Sequence, residues 1–543
     1  MLRLRCCISV TLNEGCESTK VNHLVKLMFK NLAICNSIDN ALNRIDPNDS
    51  RQLARLTLAY IAFHAVFWAV MAIISYTAPH KDSIEELFWM QSPAWGYPKF
   101  GPIGTWWVHA WAAVFGRSFW MTYVAGQVNV ALMLLVVWRI SLLCVSPARA
   151  LMAVVLTSLI VYHNINGLQV SSNLLQLLPT ALFVWALLLA MRHPQWWRWV
   201  LVGVAATVCL LTKYSAGIWF AVMGVWLLQD VRSRNRFAIL GIVLAIVAAG
   251  IALIPHIEWM LRENAPTLQY MQKQVGAEVN HFKRVLSFLA SQAGKLAPLF
   301  IILLVLRFGF KDKAQNPTTA IPMTRNSEWR FISFAALGPV ILTSLLGTVF
   351  ITLNANWATA FFVMLGLYAL RWVPALDAKV TLTRVLTLGL TLNVLMGVGM
   401  ALYYGVIADV LGKTARANYP AKPLASALDK IWDEQKLGPL KIVIGETWTA
   451  GTVSVVSKYQ PLVLPYGLYS QTKAVTPELI KRCGALVVID LEEMRNRISP
   501  DIQAFLDRAT KQGSFEVYWN RYKKINPIKI DWAIIEPEQK GGC

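Results

Sequence analysis

The chain has 543 residues, 56% hydrophobic and only 15% charged, with 22 tryptophans and a formal net charge of +21. Soluble domains carry roughly 45–50% apolar and about 25% charged residues, so an ordinary soluble protein is excluded and a polytopic membrane protein is indicated. So strong a positive charge on a soluble chain would suggest nucleic acid. Here Lys and Arg sit in short loops between apolar runs, where the positive-inside rule accounts for them, and no nucleic-acid partner is expected.

Residues 1–50 have a basic start and mixed polar sequence, without the apolar core and small-residue cleavage site of a signal peptide. They read as a cytoplasmic extension, and Met28 is an alternative start. Runs of about 20 apolar residues, the length that crosses a bilayer, predict about eleven spans: 53–77, 119–143, 149–165, 173–191, 197–211, 214–229, 237–255, 285–306, 331–350, 356–371 and 384–404. Alternate connections hold Arg139 and Arg149, Arg192 and Arg198, Arg232 to Arg236, Arg307 to Arg330, and Arg371 to Arg384. Those near 163–172 and 351–356 hold no Lys or Arg. This asymmetry predicts a cytoplasmic N-terminus and, with an odd span count, a C-terminus outside, which in a bacterial inner membrane means the periplasm.

Three outer segments are long: 78–118, 256–284 and 405–543. In the last, LKIVIGE (440–446) and GALVVID (484–490) read as buried strands, with helices over 421–436, 447–458 and 499–511. The expected architecture is mostly α: a transmembrane domain over 51–404 followed by a small α/β domain over 405–543. The eight cysteines have no CxxC spacing that would indicate a metal or redox site. Cys483 and Cys543 are the pair left for the exported part, read as a buried thiol and a tail end.

The first outer segment opens with HKDSIEELFWMQSPAWGYPKFGP (80–102). Residues 82–91 fit one amphipathic helix, placing Asp82 and Glu85 on one face. Its apolar side, Ile84, Leu87, Phe88 and Trp89, suits the outer membrane surface. Pro98, Gly101 and Pro102 hold Lys99 on a loop. A helix cap with interfacial anchors explains these residues. So does a site for a lipid phosphate, with Lys99 as the cation and Asp82 as the base.

The pattern Asp82-x-x-Glu85, Trp89-x-Gln91, Trp95-Gly96-Tyr97, Lys99, Pro102 and Trp106 resembles the first outer loop of the polyprenyl-phosphate-dependent membrane glycosyltransferases of the GT-C superfamily. These include protein O-mannosyltransferases, lipid A aminoarabinose transferases and lipopolysaccharide galacturonosyltransferases. LLTKYSAG (210–217), PHIEW (255–259), NYPAKPLA (418–425) and GETWTAG (445–451) follow in the family's order. The chain departs from it with Asp82-Ser83 in place of Asp-Glu, and with Lys99-Phe100-Gly101-Pro102 in place of Lys-Pro-Pro.

The resemblance implies an inverting transfer of a sugar from a polyprenyl-phosphate donor to an outward-facing acceptor, lipid A or lipopolysaccharide core. Asp82 and Glu85 become the catalytic candidates. Lys99, with Lys213 and Lys273, would face the donor phosphate, and Tyr97, His256 and Glu258 would contact substrate. The resemblance fixes no cofactor, and a divalent metal stays open. Lys213 could equally snorkel from a helix end. His256 and Glu258 could be an interfacial histidine and a solvated acid. A protein acceptor is one alternative. A lipid or sugar transporter is another, disfavoured because the chain has no internal repeat and its notable charges lie at the outer surface.

Overall fold

The computed structural model describes residues 45–274, 281–309, 326–349, 353–373, 378–494, 498–520, 524–538 and 543. The expected N-terminal extension, with Cys6, Cys7, Cys16 and Cys35, lies outside the described residues up to residue 44.

Helix α1 (Ser50–Ser75) starts where the Asp49 carboxylate accepts the amides of Arg51 and Gln52. Two short helices follow, α2 (Lys81–Trp89) and α3 (Ile103–Phe115), then the long apolar α4 (Phe119–Cys144) and α5 (Pro147–Ser158). Next come α6 (Ser172–Arg192), α7 (Trp196–Thr212), α8 (Ala216–Gln229) and α9 (Arg236–Arg262). Helices α10 (Pro266–Gln274), α11 (His281–Phe308), α12 (Asn326–Gly347), α13 (Leu365–Ala369) and α14 (Ala378–Leu402) complete the membrane part.

Seven described helices are long and apolar enough to cross a membrane, and α5 with the chain after it forms an eighth candidate, bent by 86°. Helices α7 and α8 are apolar but shorter. The expected count of about eleven is thus not reproduced span for span. The run 356–371 is not one helix: 3-10 turns Ala355–Phe362 and Leu370–Trp372 flank the short α13. Ala358, Phe361, Phe362, Val363 and Met364 in it are buried inside the protein. Irregular backbone at membrane depth survives only where protein surrounds it, and hydropathy cannot separate such a segment from a span.

The Arg-bearing connections meet at one end. Arg192 bonds the Leu143 carbonyl and lies 3.4 Å from Glu328, Arg330 donates to Gln229 at 3.1 Å, and Arg371 stacks on Trp329 at 5.1 Å. The connections without Lys or Arg meet elsewhere, where the Tyr162 hydroxyl donates to the Ala355 carbonyl at 2.7 Å.

The C-terminal region contains helices α15 (Ala421–Asp433), α16 (Thr447–Val456), α17 (Pro477–Cys483) and α18 (Pro500–Leu506). Its strands are β1 (Ile442–Gly445), β2 (Leu462–Pro465), β3 (Ala485–Asp490), β4 (Lys511–Asn520) and β5 (Ile525–Ile535), in the order β2-β1-β3-β5-β4. Pairs β1–β2 and β1–β3 are parallel, while β3–β5 and β4–β5 are antiparallel. The sequence reading finds β1 and β3, which are wholly buried apolar runs. It misses β2, four residues long, and the β4–β5 pair, where Tyr518 and Ile525 are exposed and Asn520 is buried, so no clean alternation marks the strands.

Cys483 and Cys543 form a disulfide across a Cα separation of 5.1 Å, which corrects their reading as a thiol and a tail end. The reason is the sheet. Antiparallel β5 returns the chain to the start of β3, with Ile535 opposite Ala485, and the Glu538 amide then bonds the Lys481 carbonyl.

Candidate functional site

Helix α2 is the centre of the arrangement. It starts one residue earlier than expected, and its cap is His80, whose Nδ1 accepts the Asp82 amide at 3.4 Å. Burial holds the His80 imidazolium below its usual range. An Nδ1 that accepts an amide carries no proton, so its 3.9 Å contact with Asp82 is not an ion pair. The Asp82 carboxylate therefore neither caps the helix nor is neutralised by its neighbour, and its side chain is 43% exposed.

The apolar face of α2 does not lie on lipid. Ile84, Leu87 and Phe88 are at most 2% exposed and pack in one core with Tyr419, Trp448 and Val453 of the C-terminal region. This corrects the surface-lying helix. An amphipathic stripe states that one side is covered, but not by what.

On the adjoining face, Lys99 donates to Glu85 Oε1 at 2.5 Å. Burial raises the Glu85 carboxyl, and Lys99 opposes that rise. Burial also draws the Lys99 ammonium down, but Glu85 outweighs it and leaves Lys99 above its ordinary value. Beside this pair sits Glu86, which sequence reasoning passed over. It is 3% exposed, and its Oε2 accepts the Thr105 hydroxyl at 2.6 Å. Burial pushes its carboxyl up to about 8. The signal was present in the sequence as a second acid inside an apolar helix.

The turn 99–102 presses on the end of α7, so that a Cβ on Gly101 would fall 2.2 Å from the Leu211 carbonyl oxygen. Glycine is needed for that approach. The contact brings Lys213, the residue closing α7, to the same place. Lys213 is buried and donates to the Asn173 side-chain oxygen. Its ammonium lies 6.0 Å from the Phe100 ring and 5.9 Å from Trp357. Among the described residues it forms no ion pair with a carboxylate, an expensive state for a buried cation. Lys99 sits 5.8 Å from the Tyr270 ring, and Phe100 packs edge-on to Tyr270. The Asp82 charge bears on Glu85, Glu86, Lys99 and Lys213 alike.

The remaining expected residues scatter. The Tyr97 hydroxyl donates to the Ser92 carbonyl and accepts the Ala94 amide, and its ring stacks on Trp89 at 5.6 Å, so it holds the loop together. His256 and Glu258 lie within α9, which runs to Arg262 rather than yielding to a loop at 256. Two residues apart on a helix, they face different ways. Buried His256 donates from Nδ1 to the Trp95 carbonyl at 2.6 Å and accepts the Tyr214 hydroxyl at Nε2, at 2.8 Å. Glu258 is 55% exposed and pairs with Arg262. Lys273 falls in α10, and its side chain lies outside what is described. Among the described residues no three His, Cys, Asp or Glu side chains group as a metal would require. Glu85 and Glu86 are already held by Lys99 and Thr105, so no step is assigned to a metal.

Three acidic side chains, Asp82, Glu85 and Glu86, and two lysines, Lys99 and Lys213, thus converge at the end of the membrane part opposite the Arg-bearing loops, beneath an α/β region. The chain is a multi-pass membrane glycosyltransferase, similar to enzymes of the GT-C class. A family profile described as dolichyl-phosphate-mannose-protein mannosyltransferase matches residues 98–259. The lipopolysaccharide core galacturonosyltransferase RgtA of Rhizobium johnstonii is 23% identical over 497 residues, covering 88% of this chain and 97% of that protein. The fold is shared with ArnT of Cupriavidus metallidurans. In its complex with undecaprenyl phosphate the TM-score is 0.60 at 13% identity, covering 88% of this chain and 97% of that one. In the apo state the TM-score is 0.56 at 14% identity, over 88% and 98%.

Proposed function

We propose that the protein transfers a sugar from a polyprenyl-phosphate donor to lipopolysaccharide, at the core or lipid A, on the periplasmic face of the inner membrane. The observation that carries this is the placement of two lysines against one edge-on ring pair, Lys213 at Phe100 and Lys99 at Tyr270, both within the field of the exposed Asp82. Lys213, buried without a carboxylate partner among the described residues, suits the donor phosphate, whose charge would complete it. Lys99, braced by Glu85, would stabilise negative charge as that phosphate leaves. The acceptor hydroxyl oxygen forms a bond to the anomeric carbon while the bond from that carbon to the phosphate oxygen breaks. The electron pair leaves with the polyprenyl phosphate, the hydroxyl proton passes to Asp82, and the sugar configuration inverts.

A relative named for the lipopolysaccharide core, aligned over nearly its whole length, favours that acceptor over protein. The Cys483–Cys543 disulfide favours an oxidising compartment for the C-terminal region, in agreement with the loop charges.

The test is Asp82→Asn, assayed in detergent with polyprenyl-phosphate galacturonate and isolated lipopolysaccharide. Asn keeps the size and removes the base, and His80 still caps α2. Transfer should fall by about 10²–10⁴-fold with thermal stability unchanged. Wild-type turnover by the variant would remove Asp82 from the chemistry. If wild type moves no galacturonate in this assay, galacturonate is not the sugar; if it moves none of a uronic acid, a hexose and an amino sugar on the same lipid phosphate, the donor and acceptor assignment is wrong.

A further inference from the structure

In open α/β sheets ligands bind beyond the carboxyl ends of the strands, where successive crossovers diverge to opposite sides. In this chain that point lies between β1 and β3, because the chain runs from β1 out to β2 and then back across β1 to β3. The strand ends there are acidic. Glu446 follows β1 directly, Asp490 ends β3, and Glu493 lies in the turn behind it. Glu446 is fully buried, and burial together with the neighbouring Glu446 and Glu493 holds Asp490 up at about 6.

Two cations from outside the sheet occupy this crevice. Lys81 Nζ lies 3.5 Å from Glu446 Oε2 and 3.3 Å from Glu493 Oε2. Arg416 lies 2.8 Å from Glu493 Oε1, with its guanidinium 4.6 Å from the Trp448 ring. The second oxygen of Glu446 accepts the Thr449 amide, so one carboxylate caps α16 and grips Lys81 together. Lys81 is the first residue of α2 and adjoins Asp82. One turn further along, Ile84 packs so closely on α16 that a Cβ on Gly451 would fall 2.3 Å from its side chain.

We propose that the strand-end crevice of the C-terminal sheet is an internal anchoring site for Lys81 and Arg416, and that Lys81 is a positioning residue that fixes Asp82 and Glu85 against Lys99 and Lys213. The anchoring stands on the geometry alone, while its link to transfer rests on the function proposed above. Removing Lys81 leaves the Glu446 carboxylate buried without a cation, which is strongly destabilising. Lys81→Met alone can therefore misfold. The double variant Lys81→Met/Glu446→Gln removes the pair without stranding a charge, and Lys81→Arg keeps the cation.

Hydrogen–deuterium exchange on the full chain in detergent reads the anchoring directly. In the double variant the amides of 82–90 should exchange roughly tenfold faster or more, while spans α4 and α6 keep wild-type protection. Lys81→Arg should restore protection and transfer together. The double variant should lose kcat with little change in donor KM. Wild-type exchange of 82–90 in the double variant would overturn the anchoring. Faster exchange with full kcat would overturn the positioning role. Absence of transfer by wild type would count against the proposed function only, because the exchange result decides the anchoring independently.

Discussion

Glu86 gives the sharpest test of the buried acid cluster, because its effect can be worked out before any substrate is identified. Its carboxyl lies at about 8 in the folded protein against an ordinary 4.5, burial being the main cause. Below pH 4.5 the group is neutral in folded and unfolded chains and contributes nothing. As pH rises from 4.5 through 8, the unfolded chain releases the proton while the folded chain keeps it, so stability falls across that window. At about 1.4 kcal/mol per pH unit, the full cost above pH 8 is at most about 5 kcal/mol. Glu86→Gln keeps an oxygen to accept the Thr105 hydroxyl and has no proton to lose. The comparison is the thermal midpoint of wild type and variant in detergent at pH 5, 7 and 9. The two should nearly coincide at pH 5, and the variant should lead by a widening margin of several degrees at pH 9. Asp490, raised in the same direction, bends both curves alike, while the Glu85 charge adds to the rise of Glu86, so the difference reads Glu86 together with its coupling to Glu85. A constant offset across pH, or a variant less stable at pH 9, would refute the reading of Glu86 as a neutral acid.

Lys99→Ala should lower transfer sharply with the protein still inserted, and Lys99→Arg should keep part of it, since a guanidinium retains the charge but not the shape; unchanged kinetics for Lys99→Ala would remove Lys99 from the phosphate site. Cys483→Ser opens a bond between residues 60 apart, and should lower the stability of the C-terminal region by about 2–4 kcal/mol, read as faster limited proteolysis matched by wild type under reductant. Alkaline phosphatase fused after residue 420 should be active and after Arg234 silent; the reverse pattern would invert the topology.

The sequence determined what each segment's own solvent imposes. A run of about 20 apolar residues is stable only in lipid or protein, and loop charge responds to the membrane's two sides. Both signals are local, so the membrane class and the long spans α1, α4, α9 and α11 were legible. So was the nearness of Asp82, Glu85 and Lys99, which lie within 18 residues of one another on a helix and its following loop. Tertiary structure decided which apolar run is a span and which is a core. Segment 356–371 is as apolar as a helix that crosses, and only its neighbours wind it into short turns.

It also decided the partners. Glu85 meets Lys99 across 14 residues, Lys213 meets Asn173 across 40, and Lys81 meets Glu446 across 365. Amphipathicity foretold that one side of α2 is covered. Whether lipid or protein covers it depends on the sheet beyond residue 440, whose strand ends carry the charges that Lys81 answers. An ion pair needs two groups within a few ångströms, and that distance is set by packing between elements far apart in the chain, where no local periodicity records it.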